Sequence, residues 1–331
     1  LVDFGNDVTV CQNGSLLFDS KYKTVSIGLS LNKEKKNWYF PYTNYYSLRV
    51  KTFTKKVLKL LDKDTDMVIA TNGQWQSLLC RIWTLLRGKK LVISGHSGLG
   101  LDDRLNLWTF PNIFIALTNH QKIWARKVNP LVKVQKIPNG VDLSKFTPKV
   151  KGFEIDLPRP IILCVAAFDF WKRLSLTIKA VSKLKNGSLF LVGTGEEEER
   201  LRKMGEKLLP GRFRIAFFKH SEMPKVYTAC DLFTYPTSSW ESFGIVMIEA
   251  MASGLSVVAN NDPIRREIVG DAGILVDPTD TEAYAKAIRE ALGKKWDNKP
   301  RKQAEKFDWD KIALEYEKII NKLFINCISR F

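Results

Sequence analysis

Two Rossmann-like α/β domains with parallel sheets are the fold this chain predicts, and three features of the sequence predict it. Its 331 residues exceed what one typical hydrophobic core fills. Short β-branched runs alternate with longer amphipathic segments, the pattern of parallel α/β sheets. A stretch without periodicity, IPNGVDLSKFTPKVKGFEIDLPRP, holds Pro148, Pro158 and Pro160 and divides the chain near its middle.

The strands expected in the first half are DVTVCQ, TVSIGL, MVIAT, KLVISG, IFIALT and VQKIP. Those of the second half are IILCVAA, LFLVG, FRIAFF, LFTYP, LSVVAN and GILVD. Helical periodicity covers residues 76–86, 172–184, 196–209, 245–252 and 282–292, and the helix ending at Ala252 is expected to open from Ser242, with its first turn around Phe243-Gly244. The Asn139-Gly140 pair signals a tight turn at the joint. Residues 1–150 are expected to form the first domain, 151–310 the second, and 311–331 a terminal helix, with a cleft between the domains. The opening LVDFGNDVTV reads as the end of a helix, a stop at Gly5 and a strand. A Rossmann unit starts one strand and one helix earlier, so about thirty native residues are expected before Leu1, the length of a strand plus its crossover helix.

At 45% hydrophobic and 26% charged residues the chain is an ordinary globular protein, and the composition excludes intrinsic disorder. No apolar run approaches the length of a membrane span. The five cysteines lack metal-ligand spacing. Cys11, Cys164 and Cys230 lie in or beside apolar runs, which predicts buried free thiols in a reducing, cytoplasmic setting. The net charge of +17 is concentrated: 23 basic against 10 acidic residues give residues 1–150 a charge of +13. Within them lysines interleave with Trp38, Tyr39, Phe40, Tyr42, Tyr45 and Tyr46. Such a stretch suits an anionic membrane surface, a phosphorylated substrate or nucleic acid, the alternative being a solvated helix face.

The segment WESFGIVMIEAMASG places Glu241 and Glu249 eight positions apart. The strand LFTYP precedes it, so the helix that follows points the free N–H groups of its first turn into the expected cleft, where they suit a phosphate. Gly244 lets the backbone approach a ligand. Glu249 lies one turn beyond Ile245, and Glu241 stands outside the helix on the other side. Two acids flanking an anion site fit hydrogen bonds from sugar hydroxyls.

At these residues the chain resembles the GT-B retaining glycosyltransferases of family 4. The resemblance rests on Glu241 and Glu249 as an E-x7-E motif enclosing Phe243-Gly244, and on IPNGVD at the joint. It also rests on ILCVAAFDFWKRLSLTIKAV, RREIVGDAGILVDP and the ending FDWDKIALEYEKI, and it is strong over residues 90–325. It implies a transferase that moves a sugar from a UDP- or GDP-linked donor to a glycan, lipid-linked or small-molecule acceptor, without a cofactor or metal. Glu241 and the backbone of Phe243 and Gly244 would hold the donor sugar. The amides of Ile245 and Val246 would meet the diphosphate, and Glu249 the ribose hydroxyls. Lys172 matches the basic residue that neutralises the leaving diphosphate, with Arg173 beside it. His96 matches the family histidine that faces the donor sugar. The terminal helix would cross back to the first domain, and lipid-linked acceptors would bring the enzyme to the inner membrane face. Nucleic acid is not expected as a partner.

Two departures stand out. The family's arginine before the lysine is Ala167 here, and its Gly-rich loop would follow a first strand that this sequence does not contain. They leave open a catalytically impaired binding protein on the same scaffold, recognising a glycan or nucleic acid. Other motifs fail on their own terms. In LVGTGEEEERL, Gly193 and Gly195 begin a dinucleotide fingerprint, but Glu198 replaces the third glycine and the acids would repel a pyrophosphate. Asp62, Asp64 and Asp66 imitate a D-x-D metal motif before a strand, on the side away from the cleft. No His/Cys cluster suggests zinc, and no Gly-x-Ser-x-Gly a hydrolase.

Overall fold

The computed structural model describes residues 1–13, 22–29, 45–61 and 64–328, with side chains to residue 324. The aromatics Trp38, Tyr39, Phe40 and Tyr42, the acid Asp62 and the Cys327 side chain lie outside the described residues. Leu1–Pro138 together with Ala313–Phe331 make one compact unit, and Asn139–Ile312 the other.

In the first unit, β1 (Thr9–Gln12) pairs in parallel with β2 (Lys23–Ser26). Then follow α1 (Tyr45–Leu60), β3 (Met67–Ala70), α2 (Trp75–Leu86), β4 (Lys90–Ser94), α3 (Leu101–Trp108), β5 (Ile113–Ala116), α4 (Asn119–Val128) and β6 (Val134–Lys136). Strands β3 to β6 lie in sequence order, all parallel. Leu91, Ile93, Phe114 and Ala116 form a core with Cys80, Leu107 and Ala125 from the helices. Alternate strand residues face the two sides, so a sheet covered on both reads as an unbroken apolar run. Thr118 caps α4 by accepting from the Gln121 N–H.

The second unit contains β7 (Ile161–Val165), α5 (Leu174–Ser182), β8 (Ser188–Val192), α6 (Glu198–Leu208), β9 (Phe213–Ala216), α7 (Met223–Thr228) and β10 (Leu232–Tyr235). They are followed by α8 (Ile245–Ala252), β11 (Val257–Asn260), α9 (Pro263–Val269), β12 (Gly273–Val276), α10 (Thr281–Gly293) and α11 (Lys299–Ala304). Its six parallel strands run β12-β11-β10-β7-β8-β9. The chain leaves β7 in one direction and returns to its other side with β10, so the sheet has its switch point between these two strands. Ligands of such sheets bind at the carboxyl ends of the strands there. Ile162, Cys164, Leu189 and Leu191 pack under α5, α6 and α10. On the other face Phe233 packs against Tyr227 of α7.

All twelve expected strands form. The helices deviate where the backbone turns left-handed. The segment expected as one helix from residue 172 starts only at Leu174, because Arg173 has φ 52° and separates α5 from a single 3-10 turn, Phe170–Lys172. Helix α8 keeps the periodic range Ile245–Ala252, and the extra turn expected from Ser242 does not form because Gly244 has φ 88°. The units divide between Pro138 and Asn139, earlier than residue 150. The reason is local: the Val141 N–H donates to the Phe307 carbonyl (2.8 Å) and Gly140 lies against the Trp309 ring, which ties this segment into the second unit. The terminal helix α12 (Trp309–Ile328) begins in the second unit and from Ala313 belongs to the first. There Glu317 accepts from the Asn6 side chain (2.8 Å). Cys80, Cys164 and Cys230 are buried free thiols, whereas Cys11 is only half-buried at the rim of β1.

Candidate functional site

The loops after β7 and β10 meet at the switch point of the second unit. Ser238 stitches them together: its N–H and its hydroxyl both donate to the Trp171 carbonyl, at 3.1 and 2.7 Å. This brings Lys172, from the first loop, onto Glu241 of the second in an ion pair. The Lys172 ammonium also donates to the Tyr235 hydroxyl (3.1 Å) at the end of β10. The two charged side chains are only 14% and 18% exposed, so the pair sits in a largely desolvated setting. Burial by itself pulls the Lys172 pKa down, but Tyr235 and Glu241 outweigh it and hold the ammonium above the ordinary lysine value. Burial pushes the Tyr235 phenol up to about 12, with Glu241 adding and Lys172 opposing. Lysine has three N–H donors. Tyr235 and Glu241 take two of them, which leaves one for the oxygen of a bound anion.

Helix α8 starts beside this pair. Gly244 precedes it in the left-handed region, and a Cβ there would come within 2.9 Å of both the Tyr235 ring and the Met247 side chain. The absence of a side chain therefore lets the helix start directly against Tyr235. The N–H groups of Ile245 and Val246 head the helix without carbonyl partners one turn back, as at any helix start. Ile245 is exposed, and Phe243 is buried edge-on against Phe307.

Glu249 turns inward from the fifth position of α8. It is 6% exposed, and it accepts a hydrogen bond from the Tyr227 hydroxyl (2.8 Å). Its other oxygen lies 3.7 Å from the His220 ring. Burial raises its pKa above the usual carboxylate value, with the Tyr227 bond opposing. Although Ile245 is one turn earlier, the two residues occupy different environments, one at the surface and one against α7.

Arg173 does not point toward the ion pair. Its guanidinium donates to the backbone carbonyls of Pro236 (2.8 Å) and Thr237. Arg265 of α9 does the same for the next residues, reaching the carbonyls of Ser238 and Glu241. Sequence reading gave no individual role to Tyr227, Tyr235, His220 or Arg265, although Arg265 opens the RREIVGDAGILVDP motif. The signals available were the polar end of an otherwise apolar strand for Tyr235, and the spacing Asp262–Arg265 at the start of a helix for Arg265.

His96 lies in the first unit, on the loop after β4, the carboxyl end of that strand. Its Nε2 is 3.0 Å from the Ser94 hydroxyl, and the residue itself is exposed. Beneath the loop, Asp103 is completely buried and accepts from the Asn106 and Gln121 side chains, 3.0 Å each. Burial pushes its pKa up to about 7. Asp64 and Asp66 sit before β3, at the opposite end of that strand, where Asp66 lies 3.6 Å from Lys89. Gly193 and Gly195 hold the turn after β8, with Glu198 opening α6. Among the described residues no group of three His, Cys, Asp or Glu side chains is placed to hold a metal ion.

Residues 146–307 match the family described as Glycosyl transferases group 1. The sulfoquinovosyl transferase SQD2 of Arabidopsis thaliana is 29% identical over 193 residues, 51% of this chain and 36% of that protein. The phosphatidyl-myo-inositol mannosyltransferase of Mycolicibacterium smegmatis is 28% identical over 201 residues, 56% of this chain and 50% of that one. The match thus spans half or less of these curated relatives. Among solved structures, Anabaena Alr3699/HepE in complex with UDP and glucose superimposes with a TM-score of 0.72 at 18% identity, covering 91% of this chain and 86% of that one. That likeness shows the fold, GT-B, with its two Rossmann-like units. The match to Glycosyl transferases group 1 covers 162 of the 331 residues, just under half of the chain.

Proposed function

We propose that the protein is a retaining, family 4 glycosyltransferase that takes a sugar from a UDP- or GDP-linked donor without a metal ion. The observation that carries this reading is the Lys172–Glu241 pair at the switch point, beside the glycine-led start of α8. Cleavage of the bond between the anomeric carbon and the diphosphate builds negative charge on the departing oxygens. The Lys172 ammonium and the first amides of α8 are the groups suited to that charge. Glu241 holds the sugar hydroxyls and Glu249 those of the ribose. The acceptor oxygen bonds to the anomeric carbon on the face the diphosphate leaves, and the acceptor proton passes to a phosphate oxygen. The UDP in the HepE complex supports a nucleotide donor. The test is transfer or donor hydrolysis with UDP-, GDP- and ADP-sugars in excess EDTA. At least one donor is expected to turn over at most of its metal-supplemented rate; a complete loss that metal restores would refute metal independence.

Nucleotide binding has its own test. Glu249→Ala is expected to weaken binding of the preferred nucleoside diphosphate by about 1–3 kcal/mol, the range for a hydrogen bond to a charged group. Isothermal titration would show it, and unchanged affinity for every nucleotide would remove Glu249 from the site.

The acceptor is proposed to be a glycan or a lipid-linked molecule, reached from the cytoplasmic face of a membrane. The mannosyltransferase relative, named for phosphatidyl-myo-inositol, supports a lipid acceptor. Among the described residues no helix is long and apolar enough to cross a membrane. Helix α1 instead carries Arg49, Lys51, Lys55, Lys56 and Lys59 beside exposed Tyr46, Leu48 and Leu60. Each basic side chain near an anionic surface contributes about 1 kcal/mol, so three or four together give measurable adsorption. Cosedimentation with anionic vesicles is expected at low salt, fading at high salt and with neutral lipid. Equally little protein on both vesicle types would rule the surface out.

A second reading, a catalytically impaired binding protein, is favoured by Arg173. With Ala167 in the family's arginine position, Arg173 is the nearest substitute, and its guanidinium is engaged by backbone carbonyls. Nucleotide binding without donor hydrolysis would select this reading.

A further inference from the structure

We propose that Arg265 is the positioning residue of the Lys172–Glu241 centre, a role that rests on the glycosyltransferase reading of that site. Arg265 is 0% exposed, and each of its three guanidinium nitrogens has a partner. Nε donates to Asp262 Oδ2 (2.8 Å), Nη1 to the Glu241 carbonyl (2.8 Å) and Nη2 to the Ser238 carbonyl (3.0 Å). Asp262 is fixed in turn: its other oxygen accepts the N–H groups of Ile264 and Arg265, 3.0 Å each, and so caps α9. The loop that presents Glu241 is thus anchored to the rigid start of a helix rather than to solvent. Arg173 takes the carbonyls of Pro236 and Thr237 on the preceding residues, so two arginines hold four of the six carbonyls between Pro236 and Glu241.

The arrangement fixes direction as well as place. A carbonyl held by a charged donor cannot rotate, and Arg265 grips the backbone of the very residue whose side chain pairs with Lys172. A planar guanidinium spans three acceptors at once, whereas an ammonium is a point charge that cannot reach both carbonyls and Asp262 in the same geometry. The position is therefore selective for arginine.

The test compares Arg265→Lys and Arg265→Met with Arg266→Ala, an exposed neighbour on the same helix, using the full chain. With a preferred donor, Arg265→Lys is expected to lower kcat roughly hundredfold, the scale of an ångström-sized misplacement of a reacting group. KM and UDP affinity should move by less than about threefold, because α8 and Glu249 are untouched. The double variant Arg265→Lys/Glu241→Gln should be no slower than Glu241→Gln alone, since residues acting through one another are not additive. Arg266→Ala should match the parent. A second readout needs no turnover: acetylation of Lys172 by an N-hydroxysuccinimide ester, followed by mass spectrometry. Both Arg265 variants are expected to raise it about tenfold, within the range of coupling between interacting residues, and Glu241→Gln by a similar factor. Multiplicative losses in the double variant, or unchanged Lys172 labelling in a variant that melts like the parent, would overturn the role of Arg265. If the parent itself neither binds nucleotide nor turns over, the glycosyltransferase reading fails, and the labelling result alone decides whether Arg265 sets the pair.

Discussion

Lys172→Met is expected to reduce sugar transfer by roughly 10²–10³ in kcat, the loss seen when one preorganised group is removed from a site of developing charge. The expectation follows from the burial of the pair. With Lys172 and Glu241 only 14% and 18% exposed, water is poorly placed to replace the ammonium. Methionine keeps most of the stem but leaves Glu241 without its counter-charge, and an uncompensated buried charge destabilises the loop that carries it. Two effects are therefore superimposed, and a second variant separates them. Lys172→Met/Glu241→Gln removes both charges and should recover thermal stability without recovering turnover. Stopped assays with saturating donor, alongside melting curves, would report both. Turnover within about tenfold of the parent in a stable Lys172→Met protein would show that the leaving diphosphate does not depend on this residue.

Gly244→Ala is expected to destabilise the second unit by about 2–3 kcal/mol, because a non-glycine residue held at positive φ costs of order 1–3 kcal/mol and the new methyl adds a clash. Its Cβ would stand 2.9 Å from the Tyr235 ring and 2.9 Å from the Met247 side chain. For a unit of this size that corresponds to a fall of about 5–10 °C in melting temperature. The functional consequence is larger than the thermal one. Tyr235 is also the hydroxyl partner of Lys172, so moving its ring disturbs the ammonium and the start of α8 together. Nucleotide affinity and turnover should both fall, in contrast to Arg265→Lys, where turnover falls and affinity holds. A Gly244→Ala protein with parental melting and affinity would mean that the chain accommodates the methyl and that the left-handed turn is not required.

How much of this was legible without coordinates differs from residue to residue. The strands were, because a strand covered on both faces must be apolar throughout, as in Ile161–Val165 and Val257–Asn260. The glycine-led start of α8 was visible in outline, but its register was set by one dihedral: Gly244 at φ 88° excludes Ser242 and Phe243 from the helix. In the same way Arg173 at φ 52° shortens the helix after Lys172 and aims its own side chain at Pro236 and Thr237. Periodicity records how often a residue faces the core; it carries no information on a single left-handed residue unless glycine marks it.

The sequence by itself determined two parallel α/β units, a joint somewhere in the aperiodic segment of residues 137–160, and the acids at Glu241 and Glu249, because each is written in neighbouring residues. Only the tertiary structure decided the partners. Lys172 meets Glu241 across 69 positions, and Tyr227 meets Glu249 across 22. Arg265 grips the Glu241 carbonyl from 24 positions away. The physical reason is that a polar side chain becomes informative only once desolvated, when it must find a complementary group or raise the energy of the fold. Which group lies within reach is set by strand order, here the return of β10 to the side of β7, and local sequence does not encode that order.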